Sequence, residues 1–168
     1  NHIRDMGMAC GVCFDTWDGQ FHVYDEKDVS ELIRHLKRAT LIVGFNHIRF
    51  DFEVLRAYSP ADLRGLSNFD ILDDVYRILG HRIKLDSLAR ATLGQSKSAD
   101  GMQSLLWVKE GRMDLVREYC KKDVEVTRDL FLHGSRNGEV YFERMGERVR
   151  VPVDWNVEQL IAGSHKSG

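Results

Sequence analysis

The sequence predicts an α/β domain built on a mixed sheet flanked by helices. Short runs rich in Val, Ile and Phe alternate with segments of helical period, the pattern of strands interleaved with helices. Hairpin patterns around Asp18-Gly19 and Met145-Gly146-Glu147 bracket that alternation and add antiparallel strands. A chain of 168 residues with 43% hydrophobic content suffices for one core. It reads as a single domain over residues 1–154 and a polar tail over 155–168.

Met8 to Asp15 and Gln20 to Tyr24 are the strands of the first hairpin. Asp28, with Glu31 three residues on, reads as a helix cap, and Val29, Leu32, Ile33 and Leu36 supply that helix's apolar face. Thr40 to Gly44 is short and apolar, as a buried strand is, and leads into Phe45-Asn46. Phe52 to Tyr58 predicts a helix stopped near Ser59-Pro60, because the residue before a proline is pushed away from helical geometry.

Asn68 to Leu72 is a further short strand. Asp73 to Leu79 and Leu85 to Leu93 predict helices closed by Gly80 and Gly94. Met102 to Lys109 predicts another, and Asp114 is the expected cap of a long helix that Gly134 stops. Glu139 to Arg144 and Arg148 to Val153 alternate as a second hairpin, and the tail ending His165-Lys166-Ser167-Gly168 is expected to be disordered.

Composition excludes several classes. With 24 Lys and Arg against 26 Asp and Glu, the net charge of -2 argues against holding nucleic acid by bulk electrostatics, so a polyanion would need a local basic groove. No apolar run approaches the roughly 20 residues of a membrane span, and the start lacks a signal-peptide profile, which points to a soluble cytoplasmic protein. Cys10, Cys13 and Cys120 cannot all pair, and an odd number of thiols suits a reducing compartment. Cys10 and Cys13 have the CxxC spacing, but residues three apart on a strand point to opposite faces. The histidines lack ligand spacing, His47 reads as a loop residue, and Trp17, Trp107 and Trp155 read as core or edge packing.

The chemistry concentrates in Tyr119-Cys120-Lys121-Lys122-Asp123. Val116, Tyr119, Cys120, Asp123, Thr127 and Leu130 recur at helical spacing and form one stripe. A carboxylate on such a stripe is costly unless compensated, and a metal ion would compensate it. Tyr119 lies one turn before Asp123, so phenol and carboxylate project from the same side. The second constellation, Gly44-Phe45-Asn46-His47-Ile48-Arg49-Phe50-Asp51, lies where a strand ends and a helix begins, the place where ligands gather in open α/β sheets. Taken alone, Asp51 is as well explained as a helix cap and Asn46 as a turn residue, while Asp70, at a strand end, reads first as a turn residue and second as a further acidic neighbour.

Together, GFNxxxFD and the later YxxxD resemble the DEDD exonucleases of ribonuclease H-like fold, in the branch whose third motif contains a tyrosine. GFNHIRFDFEVL is similar to the second exonuclease motif of family B DNA polymerase proofreading domains. Gly80 through Gly101, with Lys84-Leu85-Asp86-Ser87-Leu88-Ala89, Leu93-Gly94 and Lys97-Ser98-Ala99-Asp100-Gly101, resembles predicted exonuclease domains of YprB type. The resemblance spans about residues 6 to 134.

The resemblance implies a ribonuclease H-like mixed sheet and removal of nucleotides from the 3′ end of single-stranded DNA or RNA with two divalent cations, magnesium or manganese. It implies that Asp123 binds the nucleophile-side metal, that Asp51 holds the second, and that Tyr119 orients the attacking water. Asn46 and Phe50 would shape the turn and the pocket for the terminal nucleotide.

The first family motif, an Asp-x-Glu on the first strand of the sheet, is absent, and Asp25-Glu26 has the wrong spacing for it. That strand is expected upstream of Asn1, with poor activity of the 168-residue chain and dimerisation by strand exchange as consequences. The alternative is a non-catalytic docking or nucleic-acid-holding module of the same fold, in which Arg117, Lys121, Lys122 and Arg128 form a solvated helix face.

Overall fold

The computed structural model describes Met8, residues 10–95 and residues 101–166; the stretch 97–100 of the family-like segment and the last two tail residues lie outside this part. It is an α/β structure. Strands β1 (Cys10–Asp15) and β2 (Gln20–Asp25) form the first hairpin, and Gly19 takes φ 68° in its turn. Helix α1 (Val29–Arg38) buries Val29, Leu32 and Ile33 as expected. Asp28 occupies the cap position but its side chain makes no capping bond, because a 3-10 turn over Glu26–Asp28 already leads the chain into the helix.

β3 (Ile42–Gly44) pairs in parallel with β4 (Asn68–Asp70), Gly44 standing opposite Asp70. Between them the chain makes a π-helical turn over His47–Asp51 and a single helical turn, α2 (Phe52–Leu55), shorter than the Phe52 to Tyr58 helix expected. α3 (Ile71–Leu79) and α4 (Leu85–Leu93) end on Gly80 and Gly94, both left-handed. α5 (Gly101–Lys109) precedes the long α6 (Met113–Asn137). β5 (Glu139–Arg144) and β6 (Glu147–Pro152) form the closing hairpin, whose turn places both Met145 and Gly146 at positive φ. α7 (Val157–Lys166) follows.

Among the described residues the strands form three two-stranded sheets rather than the single mixed sheet expected, because β1 and β3 each bond to one neighbour only. α6 packs on both β1 and β3 and so brings the hairpin and the parallel pair to one helix.

Three boundaries differ from the sequence reading for packing reasons. Asp114 lies inside the first turn of α6 and the cap position is Arg112. Gly134 does not stop that helix: a Cβ there would collide with the Trp155 ring, so the glycine admits the indole while the left-handed Gly138 ends the helix. Trp155 itself is 2% exposed, its ring stacks on Phe131, and its Nε1 donates to Asp74 Oδ2 at 2.9 Å. The expected disordered tail from residue 155 therefore begins with a core residue and continues as α7.

Apolar side chains gather in two places. Ile71, Val75, Leu88, Leu130, Phe131, Val140, Phe142, Val151 and Trp155 join α3, α4 and α6 to the closing hairpin. Val29, Leu32, Ile33, Phe52, Val54, Leu55 and Leu63 join α1 to the segment after β3. Trp17 contradicts the packing expectation, being 96% exposed at the tip of the first hairpin, where no helix covers it. Among the described residues no helix is long and apolar enough to cross a membrane.

Candidate functional site

The site lies where β3 and β4 end and α6 passes them. Asp70 terminates β4 with a buried carboxylate whose Oδ1 accepts from Leu72 N at 3.0 Å, capping α3, and from Asn46 N at 2.8 Å. It thereby ties the end of β4 to the turn after β3. Asn46 is left-handed, at φ 61°, a conformation that asparagine tolerates better than most residues. His47 is buried rather than a loop residue. Its ring covers Gly44, where a Cβ would strike it, meets Phe52 edge-on at 5.1 Å, and approaches Asn68 Oδ1 at 3.2 Å through Nε2.

This framework presents Phe50 and Asp51 on the π-helical turn. Phe50 is 41% exposed, an aromatic ring offered to solvent beside the acid. Asp51 has helical angles and makes no capping bond, which removes the cap explanation. Its side chain is open to solvent. Loss of surrounding water, followed by the charges of Asp70 and Asp123, pushes its carboxyl up to about 7.

Asp123 comes from the middle of α6. Its carboxyl is pushed up to about 6, first by loss of surrounding water and then by the charge of Asp86 at the start of α4. Cys120, one turn earlier, also feels both Asp123 and Asp51. Asp51 thus feels the charge of Asp123 as well as that of Asp70, and Asp123 feels that of Asp86. In the sequence Asp86 stands in the family-like segment Lys84 to Ala89 with no role of its own. Tyr119 is half-buried one turn from Asp123 and meets Trp107 of α5 edge-on at 6.5 Å.

The stripe on α6 is buried at its ends, Val116 and Leu130, and half-buried at Tyr119, Cys120, Asp123 and Thr127. That opening is where the acids sit. The basic residues of α6 are not a freely solvated face: Arg117 grips Asp25 through two bonds of 3.0 and 3.2 Å, Arg128 lies over the rings of Phe14 and Phe21, and Lys121 lies over Phe21. These cations hold the hairpin against the helix.

Two buried acceptors in this region, Asn46 Oδ1 and Asp70 Oδ2, have no hydrogen-bond partner. An Asn46 Oδ1 without a hydrogen-bond partner, an Asp70 Oδ2 approached only by His47 Nδ1 at 3.8 Å, and acids that favour a proton fit a place for a cation. Among the described residues, however, the three ligand atoms mutually within 4.8 Å belong to Asp15, His22 and His35, not to these acids. An ion at the acid cluster would therefore take part of its coordination from water or substrate, as magnesium commonly does.

No family model matches the chain, and neither a curated protein nor a solved structure is significantly similar to it.

Proposed function

We propose that this chain carries the Asp51 and Asp123 part of a two-cation phosphodiesterase centre and belongs with the 3′–5′ exonucleases of ribonuclease H-like fold. What supports the reading is that Asp51 feels the charge of Asp123 although the two are far apart in sequence, that these are the residues the motif resemblance singles out, and that Tyr119 stands one turn from Asp123. No other pairing of chemistry-bearing residues around α6 is anticipated by a sequence motif.

In this reading Asp123 and Asp51 hold the cations by exchanging their protons for metal charge, and Asp70 and Asp86 deepen the negative field that draws cations in. A bound pair of magnesium or manganese ions would supply a water acidic enough to attack and a charge to stabilise the leaving oxygen. The Tyr119 hydroxyl would orient such a water. Phe50 offers its exposed ring to the terminal base of a single-stranded 3′ end, DNA or RNA, while Asn46 fixes the turn through Asp70. A strand carrying Asp-x-Glu, if joined to this chain, would complete the ligand set and extend the sheet.

The absence of that motif supports a second reading, a non-catalytic module of the same fold that retains the acids without turnover. Calorimetric titration with manganese separates the two. Binding that Asp51→Ala or Asp123→Asn weakens at least about tenfold is expected for the enzyme lineage, with slow trimming of 3′-labelled single-stranded DNA. No manganese binding, with or without an added Asp-x-Glu segment, would leave the module.

A further inference from the structure

The first hairpin uses its two faces differently. Cys10, Phe14, Phe21 and Asp25 meet Cys120, Arg128, Lys121 and Arg117 of α6. Gly11, Tyr24, His22 and Asp15 turn the other way and meet Leu32 and His35 of α1. Asp123 lies on α6, whereas the α1 side of the hairpin carries groups from β1, β2 and α1 that the acids do not share.

What gathers there is a set of metal-type ligands from three elements. One ring nitrogen from each of His22 and His35 and one oxygen of Asp15 lie mutually within 4.8 Å. That span is little more than twice the distance of about 2.0–2.2 Å at which zinc holds nitrogen and carboxylate ligands. His35 Nε2 stands 2.7 Å from Asp15 Oδ2, and the two imidazole rings meet edge-on at 4.7 Å.

Each ligand is also held from behind. The Trp17 amide donates to Asp15 Oδ1 at 2.8 Å, leaving Oδ2 toward His35. The Tyr24 hydroxyl stands 2.6 Å from His35 Nδ1, which selects Nε2 for any ion. The Asp18 carboxylate stands 2.7 Å from His22 Nε2 and adds a negative charge at the rim. Outer partners of this kind orient ligand rings and fix their tautomers. All three ligands are half-buried, with an open side to solvent.

We propose that Asp15, His22 and His35 bind one divalent cation of the zinc class. Two imidazoles and one carboxylate favour zinc, cobalt or nickel over magnesium, whose preference is for oxygen. The ion clips both strands of the hairpin to α1 and keeps an open coordination position. The linear spacing of the histidines gives no hint of it, because the ligands come from β1, β2 and a helix.

The test is titration of the chelator-stripped chain with zinc by calorimetry, with cobalt absorption as an optical reporter. One equivalent is expected to bind and to raise the melting temperature as free zinc rises. His22→Asn and His35→Gln should abolish it, and Tyr24→Phe should weaken it about tenfold. Asp51→Asn with Asp123→Asn, and separately Cys10→Ser with Cys120→Ser, should leave it intact, so that failure here and failure of the nuclease reading are told apart. If His35→Gln does not fold, the more exposed His22→Asn decides. Lack of zinc binding by the wild-type chain, or binding that His22→Asn leaves unchanged, would overturn the proposal.

Discussion

The sulfur atoms of Cys10 and Cys120 lie 3.2 Å apart, joining β1 to the middle of α6 one turn before Asp123. Cys13 faces away from this contact and packs with the apolar residues under α1, as strand alternation requires. The thiol of Cys120 lowers the pKa of Cys10, while burial pushes Cys13 up to about 11. Diamide should therefore oxidise Cys10 and Cys120 together, the two thiols losing two hydrogens to the diazene, which becomes the hydrazine. Peptide mapping should find Cys10 linked to Cys120 and Cys13 as a free thiol; a Cys10 to Cys13 link would contradict the geometry.

Stability without divalent cations should fall as pH rises. Unfolded aspartates lose their protons near pH about 4. Folded Asp123 and Asp51 keep theirs until about 6 and about 7, so between these values the unfolded chain binds fewer protons and folding weakens. Solvent screens the open Asp51, so its share of the loss across that window is smaller than its shift alone implies. Asp51→Asn should flatten the dependence and raise the melting temperature at pH 8, as thermal unfolding over a pH series would show.

Asp70 separates structural from electrostatic roles. Asp70→Ala removes the acceptor for Leu72 N and Asn46 N and should cost about 2–3 kcal/mol in urea unfolding. Asp70→Asn can keep an oxygen toward both amides while deleting the charge. It should retain most of that stability and lower the Asp51 pKa, measured by carboxyl NMR titration.

Trp155 should behave as a core residue. Trp155→Ala should lose about 3–5 kcal/mol, and chains ending before it should fail to fold. Gly134→Ala sets a helix-propensity gain of about 1 kcal/mol against overpacking of about 1–3 kcal/mol. Because the added Cβ meets an indole fixed between Phe131 and Asp74, the overpacking should prevail. A more stable variant in denaturant would show that the ring can move.

The elements were legible where local physics sets them. The two hairpins, the face of α1, and the glycines after α3 and α4 all follow from periodicity and from residues with special backbone freedom. The stop of α6 was misplaced because Gly134 and Gly138 look alike in a linear chain, and only the indole against one of them shows which is helical. Asp51 and Asp123 were legible as motif residues and Asp70 as a candidate acidic neighbour, whereas the charge that Asp86 exerts on Asp123 was not, because it depends on how α4 packs against α6.

Strand and helix positions, the candidate acids Asp51 and Asp123, and the divergence of Cys10 from Cys13 are properties of residue order, since each depends on neighbours within a turn or two. The division into three small sheets, the burial of Trp155, the meeting of Cys10 with Cys120 and the convergence of Asp15, His22 and His35 belong to the tertiary structure. Each of these joins groups from separate elements, and their proximity depends on how those elements pack, which no spacing along the chain encodes.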